Sequence, residues 1–239
     1  MQKLVFEKPL VKGIIKSRPN RFIFQVEING KIEKCHCPST GQIASISFED
    51  VPCLLSESDN KERKTKFTVE AISLDNKNYI GINQTKANHY VEFFLKTNQL
   101  NRMFSKINEI KREVKFANSR IDFKINDKDY LEVKTPLKDI PSESHLNYLK
   151  RKTEFVSFDR LVKHFTDISK SINRGSRAIF LMCYIYEAKR FAVPKENKNK
   201  EIVNAAKKAN IAGVENWQIN LKIDSEGISL LDYFKLNLF

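Results

Sequence analysis

No apolar run in this chain approaches the length of about 20 residues that a membrane-crossing helix needs. Cysteine is scarce. Cys35, Cys37, Cys53 and Cys183 are too few and too dispersed for the disulfide framework of a small secreted domain, so reduced thiols are expected. Glycine and proline number only 7 each, which excludes collagen-like and low-complexity chains. There is no Gly-rich phosphate loop, no dinucleotide fingerprint and no internal repeat, so P-loop and Rossmann-type nucleotide chemistry is set aside. The opening residues Met1 to Pro9 lack the apolar stretch and small-residue cleavage site of a signal peptide. These absences point to the cytoplasm.

Acidic residues are also in deficit. The 239 residues hold 29 Asp and Glu against 42 Lys and Arg, a formal charge of +13. Such an excess favours a polyanionic partner, nucleic acid or an acidic membrane surface. It is spread along the chain, +4 over residues 1–88 and +9 over residues 89–239, so no basic tail is appended to a neutral body. Apolar residues make up 41%, with 17 Phe, enough for a substantial core.

The hydropathy pattern divides the chain in two. Strand-like runs cover Leu10 to Ile15, Phe22 to Ile28, Lys31 to Cys37, Val51 to Ser56, Phe67 to Ser73 and Tyr79 to Asn83, with Asn29-Gly30 as a hairpin signal. So many short strands in about 85 residues predict an OB-like β-barrel over residues 1–85. From Lys86 the period becomes helical, with Ala87, Val91, Phe94 and Leu95 on one face as far as Leu100. Strands follow at Glu113 to Phe116, Arg120 to Ile125 and Tyr130 to Lys134, then a polar loop with Pro136 and Pro141. Phe155 to Ile172 reads as an amphipathic helix, Ala178 to Ile185 as a buried strand, and Lys198 to Ile211 as a helix. Strands at Trp217 to Ile223 and Ile228 to Leu231 close the chain. Residues 86–239 are thus expected to form a mixed sheet flanked by helices, making the whole an α+β or α/β two-domain protein.

Two constellations bear on chemistry. Cys35-His36-Cys37 looks like a metal run, but strand alternation turns His36 away from both thiols, and no second cluster completes the four ligands of a structural zinc. The second is Asp122 on one arm of a hairpin with Glu132 and Lys134 on the other. Period two places Glu132 and Lys134 on one face, and a register that sets Asp122 opposite them brings two carboxylates and an ammonium together. Two carboxylates with open water positions suit Mg²⁺, with Mn²⁺ as the alternative. A cation held there polarises a phosphodiester and acidifies an attacking water, while Lys134 neutralises developing charge. The helix before this hairpin and the long helix and buried strand after it follow the element order of the restriction-endonuclease-like, PD-(D/E)xK fold. Without that context the hairpin reads as ordinary cross-strand ion pairing.

Longer blocks carry a family resemblance. Arg18-x-x-Arg21-Phe22, His36-Cys37-Pro38-Ser39-Thr40-Gly41, Ser58-Asp59-Asn60 with Arg63-Lys64, and Asn83 with Ala87-Asn88 resemble the sugar fermentation stimulation protein (SfsA) family. So do Glu113-Val114-Lys115-Phe116, Ser119-Arg120-Ile121-Asp122-Phe123 and Tyr130-Leu131-Glu132-Val133-Lys134. The resemblance implies an OB-like DNA-binding domain followed by a nuclease-like one. It implies DNA as partner, a metal-dependent deoxyribonuclease activity as one outcome, and a non-catalytic regulator linked to sugar, notably maltose, metabolism and transcription as the other. Ser39 stands where the family usually has Asn.

On that reading Arg18, Arg21, Arg63 and Lys64 track phosphates, giving affinity without sequence preference. Phe22 reads as barrel core, opening the alternation Phe22-Phe24-Val26-Ile28, with base stacking as the alternative. Glu113 is the candidate third acid, with Glu92 as its competitor. Trp217 reads as core, and His145 and His164 as solvated. Neither an RNP motif nor a Lys-rich amphipathic helix supports an RNA-binding or membrane-surface reading.

Overall fold

The computed structural model describes residues 2–39, 41–116, 119–137, 140–149, 176–192 and 200–238, together with Ser169 and Ile172. The helix expected over 155–172 lies outside the described residues, apart from Ser169 and Ile172, which are helical.

A two-residue strand, β1 (Leu4–Val5), precedes β2 (Val11–Asn20), β3 (Ile23–Ile28), β4 (Lys31–His36), β5 (Val51–Glu57), β6 (Phe67–Ile72) and β7 (Ile80–Gly81). Strand β2 pairs antiparallel with β3 and β5, β3 with β4, and β5 with β6. Strand β4 then meets β6 in parallel, at Cys35↔Phe67 and His36↔Thr68, which closes the five strands into an OB-type barrel. Asn29 and Gly30 turn the β3–β4 hairpin with φ of 50° and 76°, the left-handed pair that a tight hairpin requires. Alternation sends Phe24, Val26, Ile28, Cys35 and Cys37 into the barrel core and leaves His36 half-buried on the other side. All four cysteines are free and buried, and burial pushes the Cys35 thiol up to about 12.

Phe22 departs from the expectation that it belongs to this core. Strand β3 begins at Ile23, and Phe22 sits in the Asn20–Phe22 turn, its backbone N–H donating to Asn20 Oδ1 at 2.9 Å. Its ring is 45% exposed. The inward alternation starts at Phe24.

The rest of the described chain comprises α1 (Ala87–Lys96), β8 (Ile110–Phe116), β9 (Ser119–Ile125), β10 (Asp129–Lys134), β11 (Ala178–Tyr184), α2 (Lys200–Ile211), β12 (Glu215–Ile223) and β13 (Gly227–Leu236). Their sheet has the order β1-β13-β12-β11-β10-β9-β8, with β10, β11 and β12 parallel and every other pair antiparallel. Helix α1 buries Ala87, Tyr90, Val91, Phe94 and Leu95, positions repeating at three and four residues, against Phe123, Leu131, Ile179 and Leu181. Trp217 belongs to the same core and stacks on Tyr233.

The two halves interleave. Strand β1, at the start of the chain, pairs with β13 of the second sheet. After β10 the chain returns to the barrel: the Ala44 N–H donates to the Leu137 carbonyl at 3.0 Å, Ser47 to Asn147 at 2.9 Å, and Leu149 to Ser45 at 2.8 Å. Leu137, Ile140, Tyr184 and Tyr186 are buried in the barrel's own core. At Gly81 the backbone N–H donates to the Ile185 carbonyl at 2.8 Å, and a Cβ there would lie 2.3 Å from Ile185 Cγ2. Only glycine permits that approach.

Candidate metal centre and nucleic-acid interface

The β9–β10 ladder runs Asp129↔Ile125, Tyr130↔Lys124 and Leu131↔Phe123, and stops there. Beyond Leu131, β10 continues beside β11 as far as Lys134↔Met182. Strands β9 and β10 therefore part into a fork, and two carboxylates take up the hydrogen bonds the ladder leaves. Asp122 Oδ2 accepts the Val133 N–H at 2.8 Å, and Glu132 Oε2 accepts the Asp122 N–H at 3.4 Å. Lys134 Nζ pairs with Glu132 Oε1, and Asn88 Nδ2, on α1, donates to Asp122 Oδ1 at 2.8 Å. The structure thus places Asp122, Glu132 and Lys134 side by side.

Their electrostatics are unbalanced. Glu132 is 2% exposed and Asp122 is half-buried beside it. Burial and the Glu132 charge raise the Asp122 carboxyl above its ordinary value, against the Val133 N–H, Asn88 and Lys134, which pull it down. A cation beside two adjacent carboxylates relieves their repulsion. The donors fit one: carboxylate oxygens are hard ligands for such an ion. No third His, Cys, Asp or Glu joins them in a metal-holding group among the described residues. Water would fill the remaining positions, as Mg²⁺ tolerates.

Neither candidate third acid is part of this group. Glu113 lies between Arg112↔Phe123 and Val114↔Ile121 in the β8–β9 register, so its backbone is level with Asp122. Its φ is +49°, which no strand residue adopts at ease, and its exposed carboxylate pairs with Arg120 at 3.0 Å. Glu92 is held by Lys96 at 2.7 Å and Arg112 at 3.2 Å.

The basic candidates of the barrel separate by environment. Arg18 is committed to the fold: its Nη2 donates to the Ser39 carbonyl at 2.8 Å and the Arg21 carbonyl at 3.1 Å, and its guanidinium packs on Phe24 and Phe48. Arg21 is exposed at the β2–β3 turn, its guanidinium 4.7 Å from the Phe22 ring centroid. Arg63 and Lys64 are exposed in the β5–β6 loop, where Arg63 Nη2 reaches Thr68 Oγ1 at 3.1 Å. These two loops, between the first and second and between the fourth and fifth barrel strands, are the ones through which OB folds grip oligonucleotides. Between them stands His36, whose imidazole is held below its ordinary value by burial and by Arg63.

Three residues that the charge-based reading did not single out complete the picture. Asn88 reaches Asp122. Ser39 Oγ shares its one hydroxyl hydrogen between the Ile82 carbonyl at 2.7 Å and Gln84 Oε1 at 3.1 Å, and Gln84 Nε2 donates to the carbonyl of Thr135, the residue after Lys134. Each is neutral, so neither charge counting nor ligand spacing marks it.

Comparison with known proteins follows the same division. The family model described as "SfsA N-terminal OB domain" matches residues 17–82, and that described as "Sugar fermentation stimulation protein RE domain" matches residues 85–140. The chain is 32% identical over 221 residues to a sugar fermentation stimulation protein homolog of Clostridium novyi, covering 90% of this chain and 92% of that one. A homolog from Methanobrevibacter smithii is 30% identical over 246 residues, covering 93% and 97%. The solved structure of Pyrococcus furiosus SfsA in complex with Ca²⁺ superposes over 100% of both chains with a TM-score of 0.76 at 21% identity, the same two-part fold. Matched in this way along nearly its whole length, the chain belongs to the sugar fermentation stimulation protein family.

Proposed function

We propose that this protein binds DNA, largely without sequence preference, and hydrolyses its phosphodiester bonds at the Asp122–Glu132–Lys134 fork with Mg²⁺, for which Mn²⁺ substitutes. The observation that carries this reading is the carboxylate pair, one member buried and one half-buried, with an ammonium beside it at the point where the two strands part. That Pyrococcus furiosus SfsA was solved in complex with Ca²⁺ supports a divalent cation in the family. Asp122 and Glu132 hold the ion, which when bound polarises the phosphodiester and acidifies an attacking water. Lys134 gives a proton-bearing positive charge to the phosphate oxygens as negative charge develops. Arg21, Arg63 and Lys64 neutralise backbone phosphates at the barrel loops, and Arg18 contributes by shaping the turn that carries Arg21. The formal charge of +13 supports a polyanionic partner.

A second reading, a DNA-binding regulator without catalysis, is favoured by one observation: Lys134 is paired with Glu132, and Glu113 is turned to Arg120 instead of completing the acidic set. Incubation with supercoiled and single-stranded DNA in Mg²⁺, Mn²⁺ or EDTA decides between them. Metal-dependent nicking that disappears in Asp122→Ala/Glu132→Ala is the expected result. Salt-sensitive binding without cleavage in either metal supports the regulator, and absence of both sinks the DNA reading itself.

A further inference from the structure

The segment that leads from the barrel into α1 has its amide side chains fastened to four separate places. Asn83 Nδ2 donates to Glu70 Oε2 at 2.8 Å, inside the barrel wall, where Glu70 is 4% exposed. Gln84 accepts from Ser39 and donates to the Thr135 carbonyl at the end of β10. Asn88 donates to Asp122. Next to it, Ala87 is buried under the sheet, with Tyr90 and Val91 a turn further on, so the helix cannot roll to withdraw the Asn88 amide.

The bond Asn88 makes is the second one to the Asp122 carboxylate. With the Val133 N–H alone on Oδ2, the carboxylate can swing about its Cβ–Cγ bond. A donor on Oδ1 fixes the plane of the group and still leaves each oxygen a lone pair. The chemical type of the donor matters too. A lysine or arginine in this place would hold Asp122 equally well, but its charge would compete with a cation. A neutral amide orients the carboxylate and leaves the negative charge of the fork for something else.

We propose that Asn88 is a positioning residue for the carboxylate pair, setting Asp122 in the orientation that receives a divalent cation. The inference rests on the reading of the fork as a cation site, and the test separates the two. Mn²⁺ is titrated into the full chain and followed by electron paramagnetic resonance, in wild type, Asp122→Ala and Asn88→Ala, with the unfolding midpoint of each measured in EDTA. Expected are a Mn²⁺ site that Asp122→Ala abolishes, and an affinity in Asn88→Ala reduced by about tenfold or more. The unfolding midpoint of Asn88→Ala should stay near that of wild type, because a role in packing alone would move the midpoint and spare the affinity. Asn88→Ser, whose hydroxyl is too short to reach Asp122, is titrated alongside and serves alone if Asn88→Ala does not fold. Wild-type affinity in the folded Asn88 variant overturns the inference and leaves the cation site standing. Absence of any Mn²⁺ binding that depends on Asp122 overturns the cation reading, and the inference with it.

Discussion

Two carboxylates of the mixed sheet lie below the surface in opposite company. Glu215, at the start of β12, is met by Arg177 Nε at 2.7 Å, Lys235 Nζ at 3.2 Å and Trp217 Nε1 at 3.1 Å. Burial pushes its carboxyl up, but these partners outweigh it and hold the group at about 2. Asp122 has burial and the Glu132 carboxylate acting in the same direction, and its carboxyl is raised. The sign of the neighbouring charge is what differs. Cations surround Glu215, whereas Asp122 has a like charge beside it. The barrel repeats the contrast with cations: Arg18 is used up by backbone carbonyls and aromatic rings, while Arg21 reaches out over an exposed Phe22.

The contrast is sharpest under mutation. Glu215→Ala removes the carboxylate that Arg177 and Lys235 share, and urea unfolding should show a loss of about 1 kcal/mol, because both cations are partly exposed and Arg177 keeps the Met103 carbonyl and Asp129. A negligible loss would remove the distinction between the two sites. Acid has the same sense. Because the folded-state value of Glu215 is depressed from 4.5 to about 2, its stabilisation is fully present above pH 4.5 and disappears as the pH falls towards 2. Glu215→Gln should flatten that limb of the stability curve. In the barrel, Phe22→Ala should weaken single-stranded DNA binding by about 1–2 kcal/mol with an unchanged salt slope, and equal affinity would show that the ring is not a stacking surface. Asp122→Asn should have the opposite sign from the Glu215 variants. In EDTA, removing the like-charge repulsion should leave stability unchanged or higher by up to about 1 kcal/mol, and a loss as large as that of Glu215→Ala would make Asp122 a structural residue. The smallest change belongs to Arg63→Ala and Lys64→Ala, each lowering the slope of log affinity against log salt by about 0.7–0.9 if it contacts a phosphate.

How far the sequence could be read depended on periodicity. Strand alternation and the Asn29-Gly30 turn marked out the barrel, and three-and-four spacing marked α1. Period two on β10, with the hairpin register, was enough to bring Asp122 to Glu132 and Lys134. Glu113 was beyond its reach, because a left-handed residue inside a strand breaks the parity on which the argument depends. Phe22 misled by continuing an inward alternation one position past the end of its strand. Strand β1 is two residues long and has no period to detect. Asn88 and Gln84 are neutral side chains whose roles arise from elements more than thirty residues away, a relation that local pattern does not encode.

The return of Leu137 and residues 140–149 to the barrel, with β1 built into the far sheet, bears on how the molecule holds and loses its shape. Neither half owns its whole interior: the barrel borrows Leu137, Ile140, Tyr184 and Tyr186, and the sheet borrows Leu10, Leu54 and Ala71. A barrel severed near residue 85 would be left with gaps where borrowed side chains had been. The molecule resembles two clasped hands more than beads on a string, and heating should melt it in a single transition.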